Sequence, residues 1–201
     1  ARARSILRGY EHVEPAKALP LLEMAVASDA GYGLAHAYLA YCRFEVRRYD
    51  EVDPVALEQI LSLASKAAAL APGSAIPPRV MALVRLYLRQ HAAAENDLRL
   101  ALSLNRYDSD SIEQMGYLMA MRGRPLDALD WIDRAVRLNP IFPPWYHFDR
   151  ALAYYGLGEY GAAAEALQLP PRRPLWHSAR LAGCYAQLND AARCTAELDR
   201  V

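Results

Sequence analysis

Lysine is scarce in this sequence of 201 residues. It occurs only at Lys17 and Lys66, against 21 arginines, and the basic and acidic residues balance to a formal net charge of zero. Proteins that bind nucleic acids usually carry a basic excess or a basic stripe. Because the chain shows neither, we expect no nucleic acid partner. The preference for arginine and alanine indicates a bacterial source.

Cysteine is also rare and has no paired spacing. The three cysteines are Cys42, Cys184 and Cys194, and no CxxC motif occurs. An odd number of unpaired cysteines is not a disulfide framework. Reduced thiols are typical of cytoplasmic proteins, so we expect a cytoplasmic location. For Cys184 and Cys194 we expect a packing role on the two last helices.

Long hydrophobic runs are missing as well. No apolar stretch approaches the roughly 20 residues that cross a bilayer, so we expect no membrane association. The segment Ala1–Ser5 lacks the apolar region of a signal peptide and has no initiating methionine. We interpret the chain as a processed protein or a piece of a longer one.

Catalytic motifs have better structural explanations here. Gly156–Gly161 matches GxGxxG, but this fingerprint requires a preceding strand, and we expect a helix before it. The five histidines form no HExxH motif, and His147 and Asp149 would point apart on a helix. No GxSxG motif occurs. We therefore expect no enzyme activity, no cofactor and no metal site.

An internal repeat is what the sequence does contain. Two stretches 34 residues apart share one pattern of small and aliphatic residues, and each has a small residue twelve positions before it, Gly116 or Ala82. The later stretch has Ala128, Ile132, Ala135 and Pro140, and the earlier one has Ala94, Leu98 and Ala101. This period and pattern resemble the tetratricopeptide repeat.

The resemblance implies an all-α fold in which each unit is a pair of antiparallel helices. Small residues such as Gly116 and Ala128 would lie where the two helices cross. The expected fold is an α-α superhelix, a right-handed solenoid of about five to six helix pairs forming one domain over residues 1–201. The expected units are approximately 1–30, 31–72, 75–108, 109–142, 144–174 and 175–201.

Turn and capping residues predict the helix boundaries. Gly123, Gly158 and Asn189 suit helix ends, and Asp53–Pro54 and Arg124–Pro125 suit helix starts. Pro20 either bends a helix or marks a later start. We predict first helices near 3–12, 33–47, 76–90, 109–122, 144–157 and 175–188. We predict second helices near 15–28, 54–70, 92–104, 125–138, 160–168 and 191–201.

The same resemblance places a binding groove along the first helices. Inner positions of the repeat are apolar and aromatic in this sequence, which suits an amphipathic helix or an extended peptide. They lack the Lys and Asn with which one subgroup grips a terminal carboxylate. Packing within the array is the alternative role for each residue. The predicted groove residues are Tyr41, Phe44, Leu83, Tyr87, Tyr117, Met121, Trp145, Phe148 and Tyr155, and Leu152 and Gly183 also take inner positions.

One acidic group begins a predicted first helix. Asp108, Asp110 and Glu113 can cap its free N–H groups and match its dipole, and contact with a partner is the alternative.

Several segments resemble a narrower class. They are Ile6–Gly9, Ala25–Asp29, Gly33–Ala40, Ala135–Pro140 and Leu188–Arg193, and they are similar to the C-terminal tetratricopeptide arrays of bacterial class III cyclase-type or winged-helix regulators. The resemblance implies a protein-protein interaction scaffold that binds a peptide or helix, as the regulatory part of a larger protein. The alternative is self-association into a homodimer through an apolar array end.

Overall fold

The computed structural model describes Ala3 and residues 15–47, 53–170 and 175–201. These residues form one 3-10 turn, Pro15–Ala18, and α-helices, and this part of the chain contains no strand. The helices are α1 (Leu19–Ser28), α2 (Gly33–Arg47), α3 (Pro54–Leu70), α4 (Ile76–Tyr87), α5 (His91–Leu104), α6 (Ser109–Met121), α7 (Pro125–Leu138), α8 (Trp145–Gly156), α9 (Tyr160–Gln168), α10 (Leu175–Gln187) and α11 (Ala191–Leu198).

The helices pack into two compact units, Ala1–Gln114 (unit 1) and Met115–Val201 (unit 2). Within unit 1, α1 to α5 pack consecutively, and α2 also contacts α4. Within unit 2, α7 to α11 pack consecutively. In each unit, helices that are neighbours in sequence therefore bury each other's apolar faces.

Local signals begin and end the helices as predicted. The Asp53 carboxylate accepts a hydrogen bond from the Val55 amide at 2.9 Å, and Pro54 opens α3. Gly123 and Gly158 adopt φ values of 70° and 79°, and Asn189 adopts 57°. These three residues end α6, α8 and α10 in the left-handed conformation, which glycine and asparagine adopt most readily.

Most predicted boundaries agree with the structure, including 54–70, 125–138 and 160–168. Pro20 lies in the first turn of α1, which begins at Leu19 and not at residue 15, so the later start is confirmed. A proline there removes no helical hydrogen bond. The first predicted helix, 3–12, lies outside the described residues apart from Ala3.

A close helix crossing fixes the hairpin of α6 and α7. A Cβ atom added at Gly116 would lie 2.7 Å from Ile132 Cγ1 and 2.9 Å from the Ala128 carbonyl oxygen. Ala128 itself is fully buried. The prediction that small residues occupy this crossing is confirmed, because any side chain on Gly116 would push against the backbone of α7.

Each unit has an apolar core of its own. In unit 1, residues of α1 to α4 form one cluster, which includes Phe44, Ile60 and Val84. In unit 2, residues of α8 to α11 form another, which includes Leu167 and Leu181. None of the described helices combines the length and the apolar character needed to cross a membrane.

Candidate functional site

The predicted groove residues of unit 1 fill its interior. Tyr41, Phe44 and Leu83 are buried, and Tyr87 is half-buried. The rings of Phe44 and Tyr87 meet edge to face with their centroids 4.8 Å apart. All four belong to the apolar cluster of this unit or pack against it. Packing within the array, the alternative role, accounts for their positions in unit 1.

A buried ion pair lies beside these aromatic residues. Arg79 Nη1 donates to Asp110 Oδ2 at 3.0 Å, and Asp108 Oδ2 lies 3.7 Å from Arg79 Nε. The guanidinium also lies 5.8 Å from the centre of the Tyr41 ring. Burial alone would lower the pKa of Arg79, but the carboxylates of Asp110 and Asp108 raise it above its ordinary value. The arginine therefore stays charged and ties α4 to α6.

The acidic residues at the start of α6 stabilise the fold. The Asp108 carboxylate accepts from the Ser111 amide at 3.1 Å and from the Ser111 hydroxyl group, so its predicted capping role is confirmed. Asp110 pairs with Arg79, and Glu113 is fully buried. The partner of Asp110 lies 31 positions earlier in the chain, a separation that no local pattern reveals.

The predicted groove residues of unit 2 are more open. Phe148 is buried and packs edge to face on Trp176, with the ring centroids 5.0 Å apart. Tyr117 and Trp145 are half-buried. Met121 and Tyr155 are 44% and 40% exposed. Unit 2 therefore leaves part of its predicted inner surface accessible.

A pocket of about 220 Å³ opens among α8, α9 and α10 in unit 2. Leu152 and Tyr155 reach it from α8, Leu167 from α9, and Gly183 from α10. Leu152, Tyr155 and Gly183 are all positions that the repeat pattern assigns to the inner face. The complete lining is Ala151, Leu152, Tyr155, Leu167, Arg180, Gly183 and Cys184.

Gly183 keeps this pocket open. A Cβ atom added there would meet no side chain closer than the Tyr155 hydroxyl oxygen, at 4.0 Å. Glycine inside a helix costs roughly 0.5–1 kcal/mol relative to alanine. No close helix crossing requires glycine at this position, in contrast to Gly116. Gly183 thus lowers the stability of α10, and the absence of a side chain there leaves space in the pocket.

The pocket combines an apolar wall with one cation. The Arg180 guanidinium lies 4.6 Å from the centre of the Trp176 ring, and the Arg180 side chain is exposed. Within the described part of the chain, no carboxylate pairs with it. Burial raises the pKa of the Cys184 thiol, although Arg180 opposes this shift. Cys184 is therefore protonated near neutral pH and adds no charge.

The other cysteines have different surroundings. Cys42 donates from its thiol to the Pro15 carbonyl oxygen at 3.3 Å. Burial, with smaller contributions from Glu45 and Glu23, raises its pKa to about 12. Cys194 is half-buried and packs against the same apolar cluster as Cys184. The thiols are free, and packing is the role the structure shows for them.

The described residues contain no group of three or more His, Cys, Asp or Glu side chains placed to hold a metal ion. The GxGxxG match at Gly156–Gly161 covers the turn from α8 to α9, so a helix and not a strand precedes it. The geometry of a dinucleotide-binding loop is therefore lacking there.

Comparison with known proteins gives structural likeness only. No protein-family model matches the sequence, and no curated protein matches it. The structure is similar to the APC/C hetero-tetramer Cut9-Hcn1, at 19% identity and a TM-score of 0.76 over 92% of this chain and 36% of that one. It is similar to the human IFIT1 dimer with PPP-AAAA, at 14% identity and a TM-score of 0.76 over 92% and 45%. YrrB, described as a TPR protein with an unusual peptide-binding site, is 18% identical with a TM-score of 0.50 over 89% of both chains.

These likenesses establish the fold. The chain has the all-α tetratricopeptide-type superhelical fold, so the predicted fold class is confirmed. It spans about a third of the length of the Cut9-Hcn1 chain that it matches and less than half of the IFIT1 chain. Leu152, Tyr155 and Gly183, which the repeat pattern assigns to the inner face, all line the pocket. The pattern missed Arg180 and Cys184, which lie on the same face of α10 as Gly183 and also line the pocket.

Proposed function

We propose that this chain is a protein-protein interaction module that binds a peptide or helix of another protein. The observation that carries the proposal is the open apolar pocket of unit 2, where Gly183 leaves a gap that no packing contact requires. The fold supports a binding role, and the similar protein YrrB is described as having a peptide-binding site. The zero net charge favours a protein partner over nucleic acid.

The pocket alone supplies modest affinity. Burying one large apolar side chain contributes roughly 1.5–3 kcal/mol, and part of this is lost to ordering the peptide. Useful affinity therefore needs neighbouring contacts. We propose that Tyr117, Met121, Trp145 and Tyr155, which are exposed or half-buried in unit 2, provide them. The other predicted groove residues pack inside their own units: Tyr41, Phe44, Leu83, Tyr87 and Phe148. Their role as contact residues stays a prediction.

The setting we propose is the regulatory part of a larger bacterial protein in the cytoplasm. The resemblance of segments such as Gly33–Ala40 and Leu188–Arg193 to regulator arrays supports this setting. The match to about a third of the Cut9-Hcn1 chain is consistent with it. In such a protein, an array of this kind acts by holding a partner rather than by catalysis.

Self-association is the second candidate. Leu198 and Val201, in and after α11, are 55% and 64% exposed, and Leu188 is 42% exposed. We propose that these exposed apolar side chains contact another copy of the chain. Light scattering over a range of concentrations tests it. A mass that rises with concentration and falls back on Leu198→Glu supports a dimer, and a constant monomer mass excludes it.

A capture experiment tests the peptide-binding function. The immobilised chain is incubated with bacterial lysate, and the captured proteins are compared with those of Gly183→Leu, whose side chain would fill the pocket. Gly161→Leu is the matched control, because Gly161 is exposed, is also helical and has no atom within 4 Å of an added Cβ. We expect a protein held by the wild type and the control and lost by Gly183→Leu.

A second variant, Tyr117→Ala with Trp145→Ala, removes the proposed neighbouring contacts and leaves the pocket intact. We expect weaker capture and unchanged helicity by circular dichroism. Identical captured proteins in all four samples would contradict the proposed function.

A further inference from the structure

We propose that the pocket of unit 2 recognises a bulky apolar side chain with an acidic residue beside it, the carboxylate pairing with Arg180. This inference rests on the proposed peptide-binding function and specifies its partner. It follows from three features of the pocket: its size, its apolar wall and the single cation at its edge.

The size of the pocket selects one side chain. Its volume of about 220 Å³ lies below the roughly 300–1,000 Å³ typical of small-molecule sites. We expect a single Leu, Met or Phe side chain to enter this space.

The wall of the pocket favours an apolar occupant. Ala151, Leu152 and Leu167 supply aliphatic surface, and the Tyr155 ring forms part of the mouth. The raised pKa of the Cys184 thiol keeps it neutral. An occupant with a buried polar group would lose its hydrogen bonds to water without replacement. The aliphatic surface therefore selects an apolar side chain.

Among the described residues, Arg180 lacks the ion pair that four other arginines of unit 2 make. Four arginines of unit 2 have carboxylate partners at 2.6–2.9 Å within the unit: Arg124 with Asp127, Arg150 with Asp133, Arg193 with Asp190, and Arg200 with Glu197. Arg180 has no such partner in the described part of the chain and lies at the pocket. Its charge is therefore available to a ligand seated there.

Ring contacts hold the Arg180 guanidinium in place. It lies 4.6 Å from the Trp176 ring centre, and the centroids of Trp176 and Phe148 are 5.0 Å apart. A guanidinium fixed on an aromatic ring loses little freedom when it pairs with a carboxylate. Because the planar group can donate two parallel hydrogen bonds, a carboxylate is the anion it fits best among the side chains of a peptide.

Selection from a phage-displayed library of random dodecapeptides tests this inference without a known partner. Four immobilised proteins are compared: wild type, Gly183→Leu, Arg180→Gln and Arg134→Gln. Arg134 is the matched control, because it is also exposed and lies 5.3 Å from a tryptophan ring, that of Trp131, but does not line the pocket. Circular dichroism verifies that every variant is folded, and Gly183→Ala replaces Gly183→Leu if the larger side chain prevents folding.

We expect wild type and Arg134→Gln to enrich peptides with Leu, Met or Phe next to, or two positions from, Asp or Glu. Arg180→Gln should keep the apolar preference and lose the acidic one. Gly183→Leu should lose both. For one enriched peptide, fluorescence anisotropy should show affinity falling about 3- to 10-fold on Arg180→Gln, and equally when the peptide acid is replaced by its amide.

The two proposals fail in distinguishable ways. Enriched apolar peptides without an acidic preference, lost on Gly183→Leu, would overturn the role of Arg180 and leave the peptide-binding function intact. An acidic preference that persists in Arg180→Gln would do the same. If no enriched peptide depends on Gly183, the binding function of the pocket is overturned together with the inference.

Discussion

The two units treat the same repeat position in opposite ways. The sequence repeats predicted to start at residues 75 and 175 lie in unit 1 and unit 2, respectively. The ninth residue is Leu83 in the first of these repeats and Gly183 in the second. Leu83 is buried in the core of its unit. Gly183 leaves a pocket of about 220 Å³ beside Leu152 and Tyr155. At this repeat position a buried leucine of unit 1 thus contrasts with a glycine beside an open pocket in unit 2.

The two units also differ in the surroundings of one arginine each. In unit 1, the inner arginine Arg79 is buried against Asp110 and Asp108, which keep its charge inside the structure. In unit 2, Arg180 is exposed and lies on an aromatic ring without a carboxylate partner among the described residues. Arginine therefore joins two helices in unit 1 and lies exposed beside a pocket in unit 2. The predictions below test that contrast.

The largest expected effect comes from opening the closed surface. Arg79→Met leaves the Asp110 carboxylate, whose side chain is 3% exposed, without its cation. Removing one partner of a buried ion pair costs about 3–5 kcal/mol of unfolding free energy. Urea unfolding followed by far-ultraviolet circular dichroism measures the loss.

The double variant Arg79→Met/Asp110→Leu is the control for that experiment. Because it removes the cation together with its most deeply buried carboxylate partner, while Asp108 keeps its hydrogen bonds to Ser111, it should recover most of the stability of the wild type. A loss below about 1 kcal/mol in the single variant would mean that water solvates Asp110, and the description of unit 1 as closed would be wrong.

The cysteines report on access to the two regions. Cys42 is buried in unit 1 with a pKa raised to about 12, whereas Cys184 lines the pocket of unit 2 and Cys194 is half-buried. Because the thiolate is the reactive form, the raised pKa of Cys42 strongly lowers the reactive fraction of this thiol. With an aromatic disulfide reagent at pH 8, we expect Cys194 to react first, then Cys184, and Cys42 last.

Single cysteine-to-serine variants assign the phases of that reaction. A peptide that occupies the pocket should slow Cys184 and leave Cys194 unchanged. If Cys42 reacted as fast as Cys184, the contrast between a closed and an open region would fail.

Replacement by alanine should change the free energy of unfolding in opposite directions at Gly116 and Gly183. Gly116→Ala places a Cβ atom 2.9 Å from the Ala128 carbonyl oxygen, an overpacking that costs roughly 1–3 kcal/mol. Gly183→Ala meets nothing closer than 4.0 Å, so the gain in helix propensity should stabilise unit 2 by roughly 0.5–1 kcal/mol. Urea unfolding compares both with the wild type. Destabilisation by Gly183→Ala would mean that Gly183 is a packing residue, not the residue that opens the pocket.

Sequence patterns predicted the helices well because their signals are local. Asp53–Pro54 caps and starts α3, and Gly123 ends α6 within the span of one turn. The 34-residue spacing of Ala128 and Ala94 likewise reflects one structural unit repeated. Such features need no knowledge of distant residues.

The site was predicted only in part, because exposure depends on distant neighbours. The repeat pattern assigns Tyr41, Phe44 and Leu83 to the inner surface, but it does not reveal that neighbouring helices bury them. It assigns Gly183 to the inner face, but the pocket forms only when α8, α9 and α10 pack around this glycine. The ion pair between Arg79 and Asp110 joins residues 31 positions apart, which no local pattern specifies.

The smallest expected effect is a pH dependence of unit 2. Burial, with a smaller contribution from Arg150, lowers the pKa of His147 below its ordinary value of 6.5. Between the lowered pKa and 6.5, the unfolded chain binds more protons than the folded one, so stability is present above pH 6.5 and falls as the pH drops. All three tryptophans lie in unit 2, so their fluorescence follows its unfolding.

Urea unfolding at pH 7.5 and pH 5.0 measures this dependence. Because His147 is only half-buried, we expect a loss below about 1 kcal/mol at pH 5.0. His147→Gln should remove most of that loss and leave the stability at pH 7.5 nearly unchanged. An identical pH dependence in wild type and variant would show that a group other than His147 titrates. It would also mean that unit 2 accepts a protonated His147, contrary to the lowered pKa.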